Sequence, residues 1–226
     1  MRPKISRLKT WEKFQSSVLD VVEEALSEIA KSPPITKTAN EDELNMILHR
    51  ALLDAYRKFS TLNKYTFETG HFKEANNQPD QGDEYRDKRL HKRPDFQWSM
   101  LDHHAADPKF FERRVILECK RIGKTKKGRI FSKLYVENGI LRFITKEHGY
   151  AQNEALALMV GYLQSSNGNK MITEVNGFLR TDHGLTEIAL DNPAWNVRGV
   201  TRMSHQLTRS FGTSPIVLRH LWVDIR

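Results

Sequence analysis

Two apolar runs joined by a short turn constrain this chain more than any other feature. Asp95-Phe96-Gln97-Trp98-Ser99-Met100-Leu101 reads as a strand, and Asp102-His103-His104-Ala105-Ala106-Asp107-Pro108 reads as a turn. Phe111 to Lys120 reads as a longer strand, with a continuously apolar stretch at Val115-Ile116-Leu117. A hairpin with so apolar a strand needs further layers packed on it. The hairpin also dictates where its polar residues go. Glu118 and Lys120 are two apart, so their side chains leave one face, while Cys119 points to the other, towards the core. Asp95 opens the first strand and, once the strands pair, sits near the end of the second beside Glu118.

The flanking sequence is largely helical. Leu8, Trp11, Phe14, Val18, Val21, Val22 and Leu26 recur at helical spacing and predict a helix over about 7–31, ended by Ser32-Pro33-Pro34. A second helix starts at Asn40, a fitting N-cap, with Glu41, Asp42 and Glu43 in the first turn. Its buried stripe is Leu44, Ile47, Leu48, Ala51, Leu52 and Ala55. Residues 68–93 are polar and read as a loop or insertion, and Lys124 to Gly128 as another loop. The stretch Ile130 to Phe143 is ambiguous. Gln152 to Ser165 is apolar nearly all round and reads as a helix laid on a sheet, with Gly161 allowing close backbone approach. Asn167-Gly168-Asn169 breaks it, Met171 to Leu179 suggests one more helix, and Asp191-Asn192-Pro193 marks a turn. Pro215 to Ile225 reads as a closing strand. This order predicts one α/β domain over 1–226, a mixed central sheet flanked by helices, with 1–39 as an N-terminal helical extension.

Composition narrows the class. The chain has 226 residues, 38% of them hydrophobic, enough for a substantial core. No run approaches eighteen apolar residues, so no membrane partner is expected. The basic start, Met1-Arg2-Pro3-Lys4, is not followed by an apolar stretch, so a signal peptide is not expected either. The single cysteine, Cys119, excludes an internal disulfide and a cysteine-based zinc site. These features point to a cytoplasmic protein. A P-loop glycine-lysine motif is lacking, so an energy-dependent step would need a partner chain.

The formal net charge is +8, and the basic residues cluster. Arg86, Lys88, Arg89, Lys92 and Arg93 form one group. Lys120, Arg121, Lys124, Lys126, Lys127, Arg129 and Lys133 form the other. Together they bracket the acidic residues, which favours a polyanionic partner. Arg93, Arg121, Lys124, Lys126, Lys127 and Arg129 are the candidate nucleic-acid contacts. Asp95 and Glu118 would converge on a hard cation with oxygen ligands, Mg2+ rather than Zn2+. Such an ion lowers the pKa of a bound water, and Lys120 would orient that water or stabilise charge at phosphorus. The plainer alternative is an exposed turn aspartate and a Glu/Lys pair at a strand edge.

Pro94-Asp95 and Glu118-Cys119-Lys120 resemble the PD-(D/E)xK motif of restriction-endonuclease-like nucleases, over roughly 40–162. The resemblance implies a restriction-endonuclease-like core, Mg2+ dependence with Mn2+ able to substitute, and DNA as substrate. It makes Asp95 and Glu118 metal ligands, the Cys119 carbonyl a third, and Lys120 the catalytic lysine. Many members add a glutamate from a helix ahead of the sheet. Glu41 matches best, three before Leu44 and seven before Leu48, with Glu43 as the alternative and a first-turn dipole role for Glu41 equally open. The Gln-x-x-x-Tyr motif of some members is absent, since Leu156 stands four after Gln152; this argues against the exonuclease branch linked to recombination. The string Tyr135 to Phe143, with Gly161-Tyr162 and His220-Leu221-Trp222, is similar to small stand-alone nucleases of bacterial restriction and anti-phage systems.

The expectation is therefore a Mg2+-dependent DNA endonuclease. The alternatives are a non-catalytic nucleic-acid-binding module of the same fold, or an effector subunit active only with a sensor or ATPase chain. Cutting both strands of a duplex would suit a homodimer. Other residues carry less weight: His103-His104 as a solvated turn, His205 and His220 as structural histidines, Cys119 as a core thiol rather than a nucleophile. For Tyr135, Tyr150 and Arg142, phosphate contact and packing stay equally open.

Overall fold

Seven strands form one mixed sheet in the order β1-β2-β3-β4-β7-β6-β5. The structure is a computed structural model that describes residues 7–31, 39–62, 70–77, 79, 82–103, 105–123, 128–192, 195–196 and 199–226. Two long helices lead: α1 (Arg7–Lys31) and α2 (Glu41–Thr61). Then come β1 (Phe72–Lys73), a short helix α3 (Arg86–Leu90), β2 (Phe96–Leu101), β3 (Glu112–Ile122) and α4 (Phe131–Glu137). The chain ends with β4 (Leu156–Leu163), α5 (Gly168–His183), β5 (Ala189–Leu190), β6 (Val200–Leu207) and β7 (Ile216–Asp224).

β3, β4 and β7 run parallel at the centre, with antiparallel β2 and β1 on one flank and β6 and β5 on the other. One face packs on α1 and α2, where Val18, Val21, Leu26, Leu48 and Leu52 meet Trp98, Leu117, Val160 and Tyr162. The other packs on α4 and α5, where Tyr135, Val136, Met171 and Val175 meet Ile116, Met159, Ile122 and Trp222. The expected α/β architecture is present. The predicted N-terminal extension is part of this core rather than an appendage: α1 packs on α2, β6 and β7.

Several local expectations change. The apolar segment within 152–165 is strand β4, not a helix. It lies between two parallel neighbours and under helices on both faces, so seven of its eight residues are buried. A strand covered on both faces loses its period of two and reads like a buried helix. Gly161 does permit a close approach: a Cβ there would lie 2.5 Å from the Trp222 ring and 2.6 Å from Ile122. The last strand closes the chain but not the sheet, because β7 lies beside β4 near the centre. β6 escaped detection because Thr201, Arg202, Ser204, His205 and Gln206 interrupt its apolar residues. The polar 68–93 region contains β1 and α3. α2 starts where expected: Asn40 and Glu43 form a reciprocal capping box.

The 140–154 region returns to the sheet through one arginine. Arg209, largely buried, donates to the carbonyls of Phe143, Tyr150, Ala151, Gln152 and Glu154, and through Nε to Thr213. The Ala151 and Gln152 carbonyls also accept from the Glu154 and Thr213 amides, so the loss of Arg209 falls mainly on Phe143, Tyr150 and Glu154. Arg209→Ala is expected to cost about 3 kcal/mol of unfolding free energy by leaving several of them unsatisfied. Urea unfolding measures it; a change within 0.5 kcal/mol, the level of an ordinary surface substitution, would remove Arg209 from this role.

Candidate active site

The β2–β3 register sets the site. Phe96 pairs with Leu117, so Asp95, one residue earlier, stands level with Glu118. The Asp95 carboxylate continues the ladder with its side chain, Oδ2 accepting from the Cys119 amide at 2.7 Å. Oδ1 accepts from Asn45 Nδ2 at 3.0 Å, and Asn45 Oδ1 accepts from the buried Tyr162 hydroxyl at 3.0 Å. Asp95 is therefore aimed by a strand amide and by a helix side chain that is itself held by β4. Asn45 is one helical turn after Glu41 on α2, so both reach the same end of the sheet.

Glu118 is fully buried. Its Oε1 lies 2.7 Å from Lys120 Nζ and accepts from Arg142 NH1 at 2.6 Å. Its Oε2 is buried and has no hydrogen-bond partner. Lys120 Nζ also donates to Glu41 Oε1 at 2.8 Å and to the Cys119 carbonyl at 2.7 Å, and lies 4.0 Å from Asp95 Oδ2. Three acidic side chains and a backbone carbonyl thus surround one ammonium. Among the described residues, no three Asp, Glu, His or Cys side chains are grouped as a metal-ligand set. The lysine stands among the oxygens instead.

The electrostatics follow from burial. Desolvation, with the Asp95 charge, pushes the Glu118 carboxyl up to about 8 against the pull of Lys120 and Arg142. Burial also raises Asp95, opposed by Lys120 and the Cys119 amide. Lys120 moves up because Glu118, Asp95 and Glu41 outweigh its own desolvation. Burial raises the Cys119 thiol well above its usual range and it faces the α1–α2 core, which removes it as a nucleophile.

A cleft of about 320 Å³ opens over this cluster, lined by Glu41, Lys120, Arg121, Arg129, Phe131 and Arg142 among others. Asp95 and Glu118 do not line it. The cleft meets them through Lys120 and Arg142, whose charged ends touch the buried carboxylates. A larger groove of about 730 Å³ between α1 and α2, with Ile29, Ile47 and Ala51 in its walls, holds none of these residues.

Asp95, Glu118, Cys119, Lys120 and Glu41 thus come together. Glu43 does not: it caps α2 through Asn40. Of the basic candidates, Arg121 stacks 4.6 Å over Phe131 and donates to the Ala39 carbonyl, and Arg129 lines the cleft. Arg93 is exposed and donates to Asn76, away from the cleft's walls. Lys124, Lys126 and Lys127 lie outside the described residues, as does His104. Sequence reasoning missed Asn45, although an asparagine between Leu44 and Leu48 was the available signal. It left Arg142 open; the structure places it on Glu118. His205 and His220 are buried structural groups, with His220 Nδ1 2.7 Å from the Tyr135 hydroxyl.

No family model matches this chain, and neither a curated protein nor a solved structure matches it.

A carboxyl whose folded pKa lies above its unfolded one binds its proton more tightly when folded. Its stabilisation is full below the ordinary value of 4.5 and drains away as pH rises through about 8. In EDTA, the wild type is therefore expected to lose more unfolding free energy than Glu118→Gln between about pH 5 and pH 9. The histidine contributions cancel in that difference. Parallel urea-derived pH curves would contradict the burial penalty assigned to Glu118.

Proposed function

We propose that this protein is a magnesium-dependent DNA endonuclease with a restriction-endonuclease-like core, working in restriction or anti-phage defence. The observation that carries the reading is the convergence of Asp95, Glu118 and Glu41 around Lys120 at the floor of an arginine-lined cleft. The oxygen set fits a hard cation. Glu118 offers a buried, unpartnered Oε2, and Asp95, Glu41 and the Cys119 carbonyl supply further oxygens. A bound magnesium would supply Lewis acidity and a more acidic water.

The chain's own residues divide the remaining work. Asn45 and the Cys119 amide fix the Asp95 carboxylate, so its position needs no adjustment during reaction. Lys120 carries its ammonium from the floor to the cleft, where it would neutralise charge building on a phosphate. Arg121 and Arg129, on the walls, would hold the backbone of the nucleic acid on either side. Arg142 balances Glu118 from the cleft side.

A second reading is a nucleic-acid-binding module without chemistry. It is favoured by one observation: Lys120 and Arg142 already neutralise much of the carboxylate charge, so the cluster is balanced without an added ion. The two differ sharply in assay. Asp95→Ala and Lys120→Ala are each expected to reduce plasmid cleavage in Mg2+ by at least about a thousandfold. Only variants that circular dichroism shows to be folded count in this comparison. Cleavage surviving both substitutions would refute the hydrolytic reading. Salt-sensitive DNA binding with no cleavage by the wild type in Mg2+ or Mn2+ would select the module.

A further inference from the structure

The oxygens that suit a divalent ion are already engaged by a cation the protein carries itself. Lys120 Nζ has three N–H donors. Three acceptors lie at hydrogen-bond length: Glu41 Oε1 at 2.8 Å, Glu118 Oε1 at 2.7 Å and the Cys119 carbonyl at 2.7 Å. Asp95 Oδ2 follows at 4.0 Å. The ammonium's donors are spent, on acceptors from two separate places in the chain, the start of α2 and the end of β3. The lysine stem is packed as well: a Cβ at Gly139 would fall 3.3 Å from Lys120 Cγ and 2.4 Å from the Tyr135 carbonyl. The Tyr135 carbonyl is what demands a glycine there, and the lysine stem packs beside it.

A second, independent observation points to an absent partner for the same cluster. Glu118 Oε2 is fully buried and unpartnered, although Oε1 of the same carboxylate takes both Lys120 and Arg142. The bare oxygen can carry the proton of the neutral carboxyl, and once that proton leaves it is open to another positive charge.

We infer that Lys120 is an internal cation that holds the metal site closed, and that a divalent ion enters only by displacing its ammonium into the cleft. This rests on the hydrolytic reading and deepens it. An ammonium and a divalent ion cannot share these oxygens, since like charges a few ångströms apart in a water-poor pocket repel strongly. The lysine lines both the floor and the cleft, so it has somewhere to go. Once displaced, it joins Arg121 and Arg129 where a phosphate would lie. Metal loading and phosphate binding then become linked through one side chain, each favouring the other. Arg142 keeps its bond to Glu118 Oε1 and remains as local counter-charge.

The test reads binding and protein chemistry as well as activity. Mn2+ is titrated by calorimetry into the full chain and into Lys120→Met. Removing the competing charge is expected to tighten Mn2+ binding at least about tenfold. Lys120→Met leaves Glu118 facing Arg142 alone and can fail to fold, so the second measurement uses the wild type. Its amines are acetylated with and without Mn2+ at matched ionic strength, and Lys120 modification is quantified by peptide mass spectrometry. Mn2+ is expected to raise Lys120 labelling severalfold while leaving exposed lysines such as Lys13 unchanged. Unchanged Lys120 labelling with Mn2+ bound, equal Mn2+ affinity in the folded Lys120→Met variant, or no Mn2+ binding at all would each overturn the inference. Plasmid cleavage by the wild type is measured separately in the same buffers. Cleavage without lysine release would discard the internal-cation inference and keep the nuclease. Lysine release without cleavage would do the reverse.

Discussion

A lysine ammonium can be held inside a protein only if anions surround it, and here that requirement organises one whole end of the sheet. Lys120 is largely buried, as is Glu118, and each would be costly alone. At an effective dielectric near 20, a unit pair 4 Å apart interacts by about 4 kcal/mol. The one ammonium opposes the mutual repulsion of Asp95 and Glu118 on that scale, but desolvation of Glu118 outweighs it and keeps that carboxyl protonated up to about pH 8. Against its own desolvation, Lys120 is pulled up by the carboxylates, while desolvation raises Asp95 and Glu118 despite the cations beside them. The cluster is stable as a set and poor in any subset.

The fold supplies the members of that set from distant parts of the chain without strain. The antiparallel β2–β3 register brings Asp95 level with Glu118. Parallel pairing of β3 with β4 places Gly161 beside Lys120 and Tyr162 beside Arg121, and Tyr162 then reaches across to Asn45. The capping box fixes where α2 begins, and therefore where Glu41 and Asn45 fall. All of these ends meet at the carboxyl edge of the parallel strands, the place where open α/β sheets gather ligands because the loops there diverge. A one-residue slip in the hairpin would move Glu118 and Lys120 to the α1–α2 face and dissolve the site.

Much of this was legible in the sequence, and the illegible parts have a common cause. α1 and α2 were readable from their one-sided apolar stripes and from the Asn40–Glu43 cap, and β3, although buried on both faces, from its short β-branched run bounded by turn residues. β4 was not, because cover on both faces erased its alternation. β6 was not, because Ser204, His205 and Gln206 sit among its apolar residues. The site was readable to the extent that it is local: Glu118 and Lys120 share a strand, and Asp95 is a hairpin away. Asn45 and Arg142 were not assigned because their roles exist only through contacts spanning 50 and 24 residues. A polar residue inside an apolar helical stripe was the only sign of the first. Nothing in the sequence distinguished Arg142 from its basic neighbours.

The basic charge shows the same division between local pattern and tertiary use. Arg89, within the cluster preceding Asp95, is buried and bound to Asp83, Gln152 and the Lys146 carbonyl. Arg113 makes a two-pronged bond to Glu154. Arg209 gathers carbonyls, and Arg142 is held by Glu118. These arginines are structural fasteners, recruited because a planar guanidinium satisfies several acceptors at once. A net charge of +8 therefore overstates the field offered to a polyanion by counting cations whose partners are internal. What argues for a phosphate ligand is the placement of Arg121 and Arg129 on the walls of a cleft that also reaches Lys120. Position beside a buried carboxylate cluster, rather than total charge, gives the basic residues their chemical meaning.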